Sequence, residues 1–390
     1  MDFSLSEEER AIRDTARQFI TKEVMPLELE ALRRERAHKP GLDRSELVEL
    51  QQKAKKFGFW GLSTPEQYGG MDLPAVIQSL LWTELGRTFV QFTFGGEADN
   101  ILYHCNEEQK QEYLIPTIEG ERISCFAITE PGAGSDAANI KLSARQDGDD
   151  WILNGEKTFI TNGNDADFAI VVGVNDRERD VRRGGTTAFL VDRSMGWRSE
   201  FIQTMGEGGP ASLYFDDVRV PGRNVLGEVG QGFELGMKWI GRGRYLIPST
   251  AIGIAERALG MAIDYANIRE TFGRRIGENQ AIQWMIADSE IELEAARWLT
   301  LRAAWTIDQG EDPRHASSMA KLHGANMVNN VVDRVMQIHG GMGYTRELPI
   351  ERWYRQVRLM RIYEGTDEMQ RLIISRDLLR GYTKIGGHLA

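Results

Sequence analysis

Apolar and polar positions divide this chain into three stretches with different periods. Near the start, Ser6 and Glu9 have the spacing of a capping box, in which a hydroxyl and a carboxylate satisfy the free amides of a helix start. Ile12, Ala16, Phe19, Ile20 and Val24 follow at helical steps, as one buried face requires. "ELVELQQKAKKFGFWGL" and "PAVIQSLLWTELGRTF" repeat the signal, and "TPEQYGGMDLP" between them carries the Gly and Pro of a loop. From about residue 121 the period shortens. "DGDDWILNGEKTFITNG", "FAIVVGV", "TTAFLVD" and "ASLYFDDVRVP" are short runs rich in β-branched and aromatic residues, separated by Gly and Asp-Gly turns, and they predict antiparallel strands. From about residue 231 helical spacing returns. Leu293, Ala296, Leu299, Ala303 and Ile307 make one stripe, and Gly310 is its predicted stop.

Segregated helical and strand blocks predict an α+β multidomain protein. The expected units are an N-terminal helical domain (1–120), a central antiparallel β domain (121–230) and a C-terminal helical domain (231–390). A doubly wound nicotinamide fold would alternate strands with helices and carry G-x-G-x-x-G after a strand; neither pattern occurs.

Composition narrows the function. A length of 390 residues allows large cores, and a formal charge of −11 argues against nucleic acid as a partner, because phosphate binding needs a basic face. Only Cys105 and Cys125 occur, without metal-ligand spacing, so neither a disulfide framework nor a metal site is expected, and a reducing compartment fits. "MDFSLSEEER" has neither the order of a secretory signal nor the Arg-rich character of a transit peptide. The expected location is cytoplasmic, or the mitochondrial matrix for a processed eukaryotic chain. "YLIPSTAIGIAERALGMAI" contains Pro248, Glu256 and Arg257, and reads as a buried helix, not a membrane span.

Four segments could carry chemistry. "FAITEPGAGSD" (126–136) exposes amides at Gly132 and Gly134 beside Thr129, Ser135 and Asp136; it is either a donor-rich wall for a polar ring or a Gly-rich connection. "RETFGRRIGENQ" (269–280) sets Arg269, Arg274 and Arg275 around Phe272, which suits either a diphosphate beside an adenine or a solvated basic face. "QIHGGMGY" (337–344) either lets backbone approach a ligand or ends a helix, and His339 reads as structural. "RIYEGTDEMQR" puts Glu364 at a break between apolar residues and a renewed helical pattern. A carboxylate buried there is either paired or put to use.

In their order and spacing these segments, with "GLSTPEQYGG" and "FDDVRVPGRNVLG", resemble the acyl-CoA dehydrogenase family over about residues 3 to 380. The resemblance implies an N-terminal helical domain, a central β-barrel-like domain and a C-terminal four-helix bundle, assembled as a homotetramer with FAD between subunits. It implies α,β-dehydrogenation of an acyl-CoA thioester to the trans-2-enoyl-CoA, with electrons passed to an electron-transfer flavoprotein. Glu364 would be the base, and its backbone amide would serve the developing enolate together with a flavin hydroxyl. Phe126, Ile128, Thr129, Ser135, Phe159 and Thr161 would meet the cofactor around its ring, with Ser135 also touching the thioester arm. Arg269, Phe272 and Gln280 would reach the diphosphate and adenosine of a neighbouring subunit's FAD, lined further by Gln337, Gly340 and Gly341. Thr366 and Glu368 would lie on the adenosine side, while Arg244 and Gly365 would contact substrate.

Some positions depart from the family pattern. Gly243 stands where some relatives carry their base, Phe159 where many have Trp, Glu368 where some have Gln, and Gln356 where Asp is frequent, so that an ion pair near the base would be missing. The acyl pocket is expected between a helix containing "TFVQFTFGGEADNI" and the 237–250 helix, with Gly95 and Gly243 leaving room for a longer or branched chain. Two alternatives share the scaffold: a flavin oxidase or monooxygenase, disfavoured by the intact "YEGT", and a non-dehydrogenase DNA-binding relative, disfavoured by the negative charge.

Overall fold

The computed structural model describes residues 5–37, 39–206 and 208–385, with the Arg242 side chain outside the described set. The Ser6–Glu9 capping box is formed and starts α1 (Glu7–Phe19), whose stripe buries Ala16 and Phe19 and continues through a π-helical turn to Val24. Next come α2 (Glu28–Arg36), α3 (Arg44–Lys56) and α4 (Ala75–Gly86), then α5 (Glu107–Gln109) and α6 (Ile115–Ile118), joined by the π-helical turn Lys110–Leu114.

The segment after α4 is not the helix anticipated for the acyl pocket. Residues 87–99 are irregular, and a 3₁₀ turn begins at Asn100. The reason is visible in the residues. Val90, Phe92 and Phe94 alternate, all three are buried, and Phe92 and Phe94 pack against Phe19, so period-two burial wins over helix.

The central domain holds β1 (Ser124–Ala127), β2 (Ser143–Asp147), β3 (Asp150–Ile160), β4 (Phe168–Val174), β5 (Thr186–Asp192), β6 (Arg198–Phe201), β7 (Ala211–Val220) and β8 (Val225–Leu226). The path of the sheet is β6-β7-β3-β2-β4-β5-β8, with β1 added against β4. Most pairs are antiparallel, but β1 runs parallel to β4, and β2 meets β4 in parallel at Ser143 and Val174. β4 is buried along its whole length, as a strand covered on both faces must be.

The C-terminal domain begins with the 37-residue α7 (Gly232–Ile268). By length and composition it could cross a membrane, but 67% of its most apolar window is buried inside the protein, as in a core helix. A short hairpin follows, β9 (Glu270–Thr271) with β10 (Arg274–Arg275). Then come α8 (Gln280–Asp308), α9 (Arg314–His339), α10 (Gly341–Tyr344), α11 (Ile350–Val357) and α12 (Asp367–Leu379). Helices α7, α8, α9 and α12 form the bundle, with α9 touching each of the others. Pro248 lies inside α7 and has no N–H, so the carbonyl of Arg244 loses its intrahelical partner.

Candidate active site

The turn before α12 departs from ordinary backbone geometry. Glu364 has φ +51° and Gly365 φ +92°, two successive left-handed residues. For a glutamate that conformation costs of order 1–3 kcal/mol and persists only where surrounding structure enforces it. Three neighbours do so. Gln370 Nε2 donates to the carbonyls of Glu364 (3.3 Å) and Gly365 (3.0 Å), and Lys321 Nζ donates to the Gly365 carbonyl at 2.7 Å. Thr366 caps α12 by accepting from the Met369 amide at 3.3 Å. The Glu364 amide itself donates to no protein acceptor among the described residues.

The side chain of Glu364 turns back against α7. A Cβ built on Gly243 would lie 1.4 Å from Glu364 Oε2, so the carboxylate fills the space a side chain at 243 would need. Oε2 is shut away from solvent and has no hydrogen-bond partner among the described residues. Burial pushes the carboxyl up from 4.5 to about 7, while the charges of Lys321 and Arg244 pull in the opposite direction. Arg244 has a buried Nε without a partner among the described residues, and its own proton is loosened by burial although Glu364 holds it. Nearby Asp367 is buried and accepts from Arg361 Nε (2.8 Å) and Asn326 Nδ2 (3.0 Å). Gln356 accepts from Arg352 at 2.9 Å, and the ion pair of Arg352 is made instead with Glu35, both buried.

A second group surrounds the 126–136 segment. Phe126 and Ile128 are buried, Phe126 is stacked on Trp239 with centroids 4.5 Å apart, and both face α7 near Gly236. What they can offer a ligand is therefore backbone. Thr129 is half-buried, with its carbonyl held by the Thr158 amide at 2.9 Å, and Ser135 is exposed beyond it. Phe159 is a large aromatic left 62% exposed at φ +57°, and Thr161 beside it is exposed as well. Beneath them Lys157, fully buried, donates to Glu130 (2.8 Å) and to the Ile128 carbonyl (3.0 Å).

The third group is a cleft of about 490 Å³ on the far side of the bundle, lined by Tyr265, Arg269, Thr271, His339, Gly340 and Gly341 among others. The Arg269 guanidinium makes no ion pair or hydrogen bond among the described residues. Phe272 projects fully exposed at φ +52°, and Gln280 at the start of α8 and Gln337 in the last turn of α9 are exposed as well. Glu368 is exposed on α12. His339 is structural in its contacts, with Nδ1 bonded to the Val335 carbonyl at 2.8 Å and its ring stacked on Tyr265.

Comparison with known proteins identifies the chain. Family models match residues 6–121 (acyl-CoA dehydrogenase, N-terminal domain), 125–218 (middle domain) and 230–379 (C-terminal domain). The chain belongs to the acyl-CoA dehydrogenase family. It is 37% identical to the mitochondrial short-chain specific acyl-CoA dehydrogenase of Mus musculus, over 97% of this chain and 92% of that one. Butyryl-CoA dehydrogenase from Megasphaera elsdenii superposes with a TM-score of 0.85 at 30% identity, over 97% of this chain and all of that one. A chain from work on the electron transferring flavoprotein of Acidaminococcus fermentans and flavin-based electron bifurcation gives a TM-score of 0.86 at 37% identity, again over 97% and 100%.

Acyl-CoA dehydrogenases are FAD-dependent oxidoreductases, and the donor set here suits that cofactor. Ideal Cβ atoms on Gly132, Gly134, Gly340 and Gly341 meet nothing within 4 Å, so those backbones are uncovered for a ligand. An unpaired arginine beside an aromatic cleft fits a dinucleotide's diphosphate. Among the described residues no group of three or more His, Cys, Asp or Glu is arranged to hold a metal ion.

Sequence reasoning passed over Lys321 and the Lys157–Glu130 pair. The first had a signal: Lys321 interrupts an apolar stripe with Ser317, Gly324, Ala325 and Val328 on α9.

Proposed function

We propose that this chain oxidises an acyl-CoA thioester to the trans-2-enoyl-CoA, with Glu364 removing the α-proton. Bound FAD supplies the acceptor, N5, for the hydride that leaves the β-carbon. The observation that carries the reading is Glu364 itself, whose Oε2 is buried without a partner among the described residues and whose proton affinity is raised to about 7. A thioester α-C–H is a very weak acid, and an ordinary carboxylate is poorly matched to it; desolvation strengthens the base. The free Glu364 amide is available to a developing enolate oxygen, where a preorganised donor is worth most. Gly365 and Arg244 flank the substrate, and Thr129, Ser135, Phe159 and Thr161 the flavin ring. Thr366 and Glu368 lie on the cofactor's adenosine side. Arg269, Phe272, Gln280, Gln337, Gly340 and Gly341 take the diphosphate and adenosine end of a neighbouring subunit's cofactor.

The substrate we propose is a short acyl-CoA, after the named short-chain and butyryl-CoA relatives. Neither glycine once expected to make room does so. A Cβ on Gly95 would lie 2.5 Å from the Trp60 ring, and the space beside Gly243 belongs to Glu364. The proposed electron acceptor is an electron-transfer flavoprotein, and the proposed assembly a homotetramer. Trp284, Ile291, Trp298 and Trp305 support assembly, since they recur every seventh residue on α8 and all are exposed. The cytoplasm or mitochondrial matrix is the proposed location. Anaerobic addition of a panel of acyl-CoA esters to the FAD-loaded protein should bleach the flavin, with slow reoxidation in air. Rapid peroxide release would instead favour an oxidase and overturn this reading.

A further inference from the structure

Resting on Glu364 as the base, we infer that Lys321 is a positioning residue that fastens the left-handed Glu364–Gly365 turn and holds a positive charge beside the carboxylate. The geometry is specific. Lys321 lies on α9, its side chain is 0% exposed, and its Nζ spends a hydrogen bond of 2.7 Å on a backbone carbonyl, that of Gly365. A lysine buried this deeply is ordinarily paired with a carboxylate. Here the nearby acid in α12, Asp367, takes its bonds from Arg361 and Asn326, and the carboxylate of Glu364 takes none from Lys321. The ammonium is therefore a fixed charge tied to the backbone that carries the base. Gln370 Nε2 reaches the same carbonyl from α12 at 3.0 Å, so two helices grip one oxygen.

The groups facing this ammonium come from α7, the Glu364 turn and α12. Arg244 on α7 opposes it, while Glu364 in the turn and Asp367 and Glu368 on α12 favour its charge; burial lowers it to about 8. Its effect on the base is reciprocal. Lys321 and Arg244 restrain the rise that desolvation imposes on Glu364, so the carboxylate ionises near neutrality and not well above it. Tyr363, beside the base, is itself pushed up by burial and by Glu364. One residue thus acts on two properties of the base: where it points and the pH at which it is ready.

The test uses the FAD-loaded protein with Lys321→Met and Lys321→Gln, which remove the charge, the second keeping a donor for the Gly365 carbonyl should the first fail to fold. Glu364→Gln is run in parallel. The pH dependence of flavin bleaching by butyryl-CoA is recorded, and the position of Glu364's titration is also read without turnover, from the pH at which the stability difference between each background and its Glu364→Gln partner levels off. The acid limb and this levelling-off should both move up by about one pH unit, with bleaching at neutral pH slowed about tenfold. A limb and a levelling-off that stay in place, at whatever rate, reduce Lys321 to a structural role and overturn the inference. Undiminished bleaching by Glu364→Gln would sink the base assignment itself, a result separable from failure at Lys321 alone.

Discussion

Two fully buried lysines, Lys157 under the 126–136 segment and Lys321 under the Glu364 turn, meet opposite surroundings. Each is lowered to about 8 by burial, and each fastens a carbonyl of a candidate site segment, Ile128 in one case and Gly365 in the other. The difference lies in the carboxylate nearby. Glu130 accepts from Lys157, from the Lys141 amide at 2.6 Å and from the Leu142 amide at 2.9 Å, so it is saturated with donors. Glu364 has a buried Oε2 with none among the described residues. A saturated buried acid is architecture, since removing any partner strands a charge. In Glu364 that bonding capacity is left open, in a turn whose backbone amide is open as well.

The sharpest way to break the comparison is to remove the open capacity. Glu364→Gln keeps size and shape, and should retain bound FAD while flavin bleaching by acyl-CoA slows roughly 10³-fold. Stopped-flow reduction beside the bound-flavin spectrum checks both halves; a bleaching rate near the parent's would mean the acid is merely lodged there. The saturated site should respond in a different currency. Lys157→Met leaves Glu130 buried without its counter-charge and should lower stability by about 3–5 kcal/mol in denaturant unfolding, with the pH profile of bleaching unmoved. A shifted profile would show that Lys157 reaches the base after all.

Gly243→Ala probes the space and not the charge. Its Cβ would arrive 1.4 Å from Oε2, so the carboxylate must be displaced by an ångström or more. Misplacement on that scale costs about 10²-fold in rate with the cofactor retained. Parent-like turnover in this variant would show that the carboxylate has another resting place.

Much of this was legible in the residues before the fold was known. The apolar runs "FAIVVGV" and "TTAFLVD" coincide with β4 and β5, because fully buried strands leave an unbroken β-branched signature. The Ser6–Glu9 box and the Leu293–Ala303 stripe are local signals and survive packing. Residues 87–99 misled for the opposite reason: nothing nearby in sequence shows that Phe19 and Phe59 will cover alternate side chains there. Glu364 was visible as an acid at a break, yet its left-handed φ and the loss of room at Gly243 depend on α7 and α9 arriving from over a hundred and about forty residues away. Lys321 is the clearest gap, a charge on an apolar helix stripe whose meaning required knowing which carbonyl faced it.

The smallest expected effect is thermodynamic, and its sign separates the two acids most cleanly. Glu364 holds its proton to about 7 in the folded protein against 4.5 as a free side chain. Between those values the native state keeps a proton that the unfolded chain has released, so stability falls as pH rises through that window. Above it the folded protein carries the full cost of an ionised, desolvated carboxylate. Replacing that group by a neutral amide should therefore stabilise, by about 1–3 kcal/mol at pH well above 7, and change little at pH below 4.5. Paired thermal melts of the parent and Glu364→Gln across this range check the prediction. A variant less stable than the parent at high pH would mean that Glu364, like Glu130, is held by partners, and the contrast between the two sites would disappear.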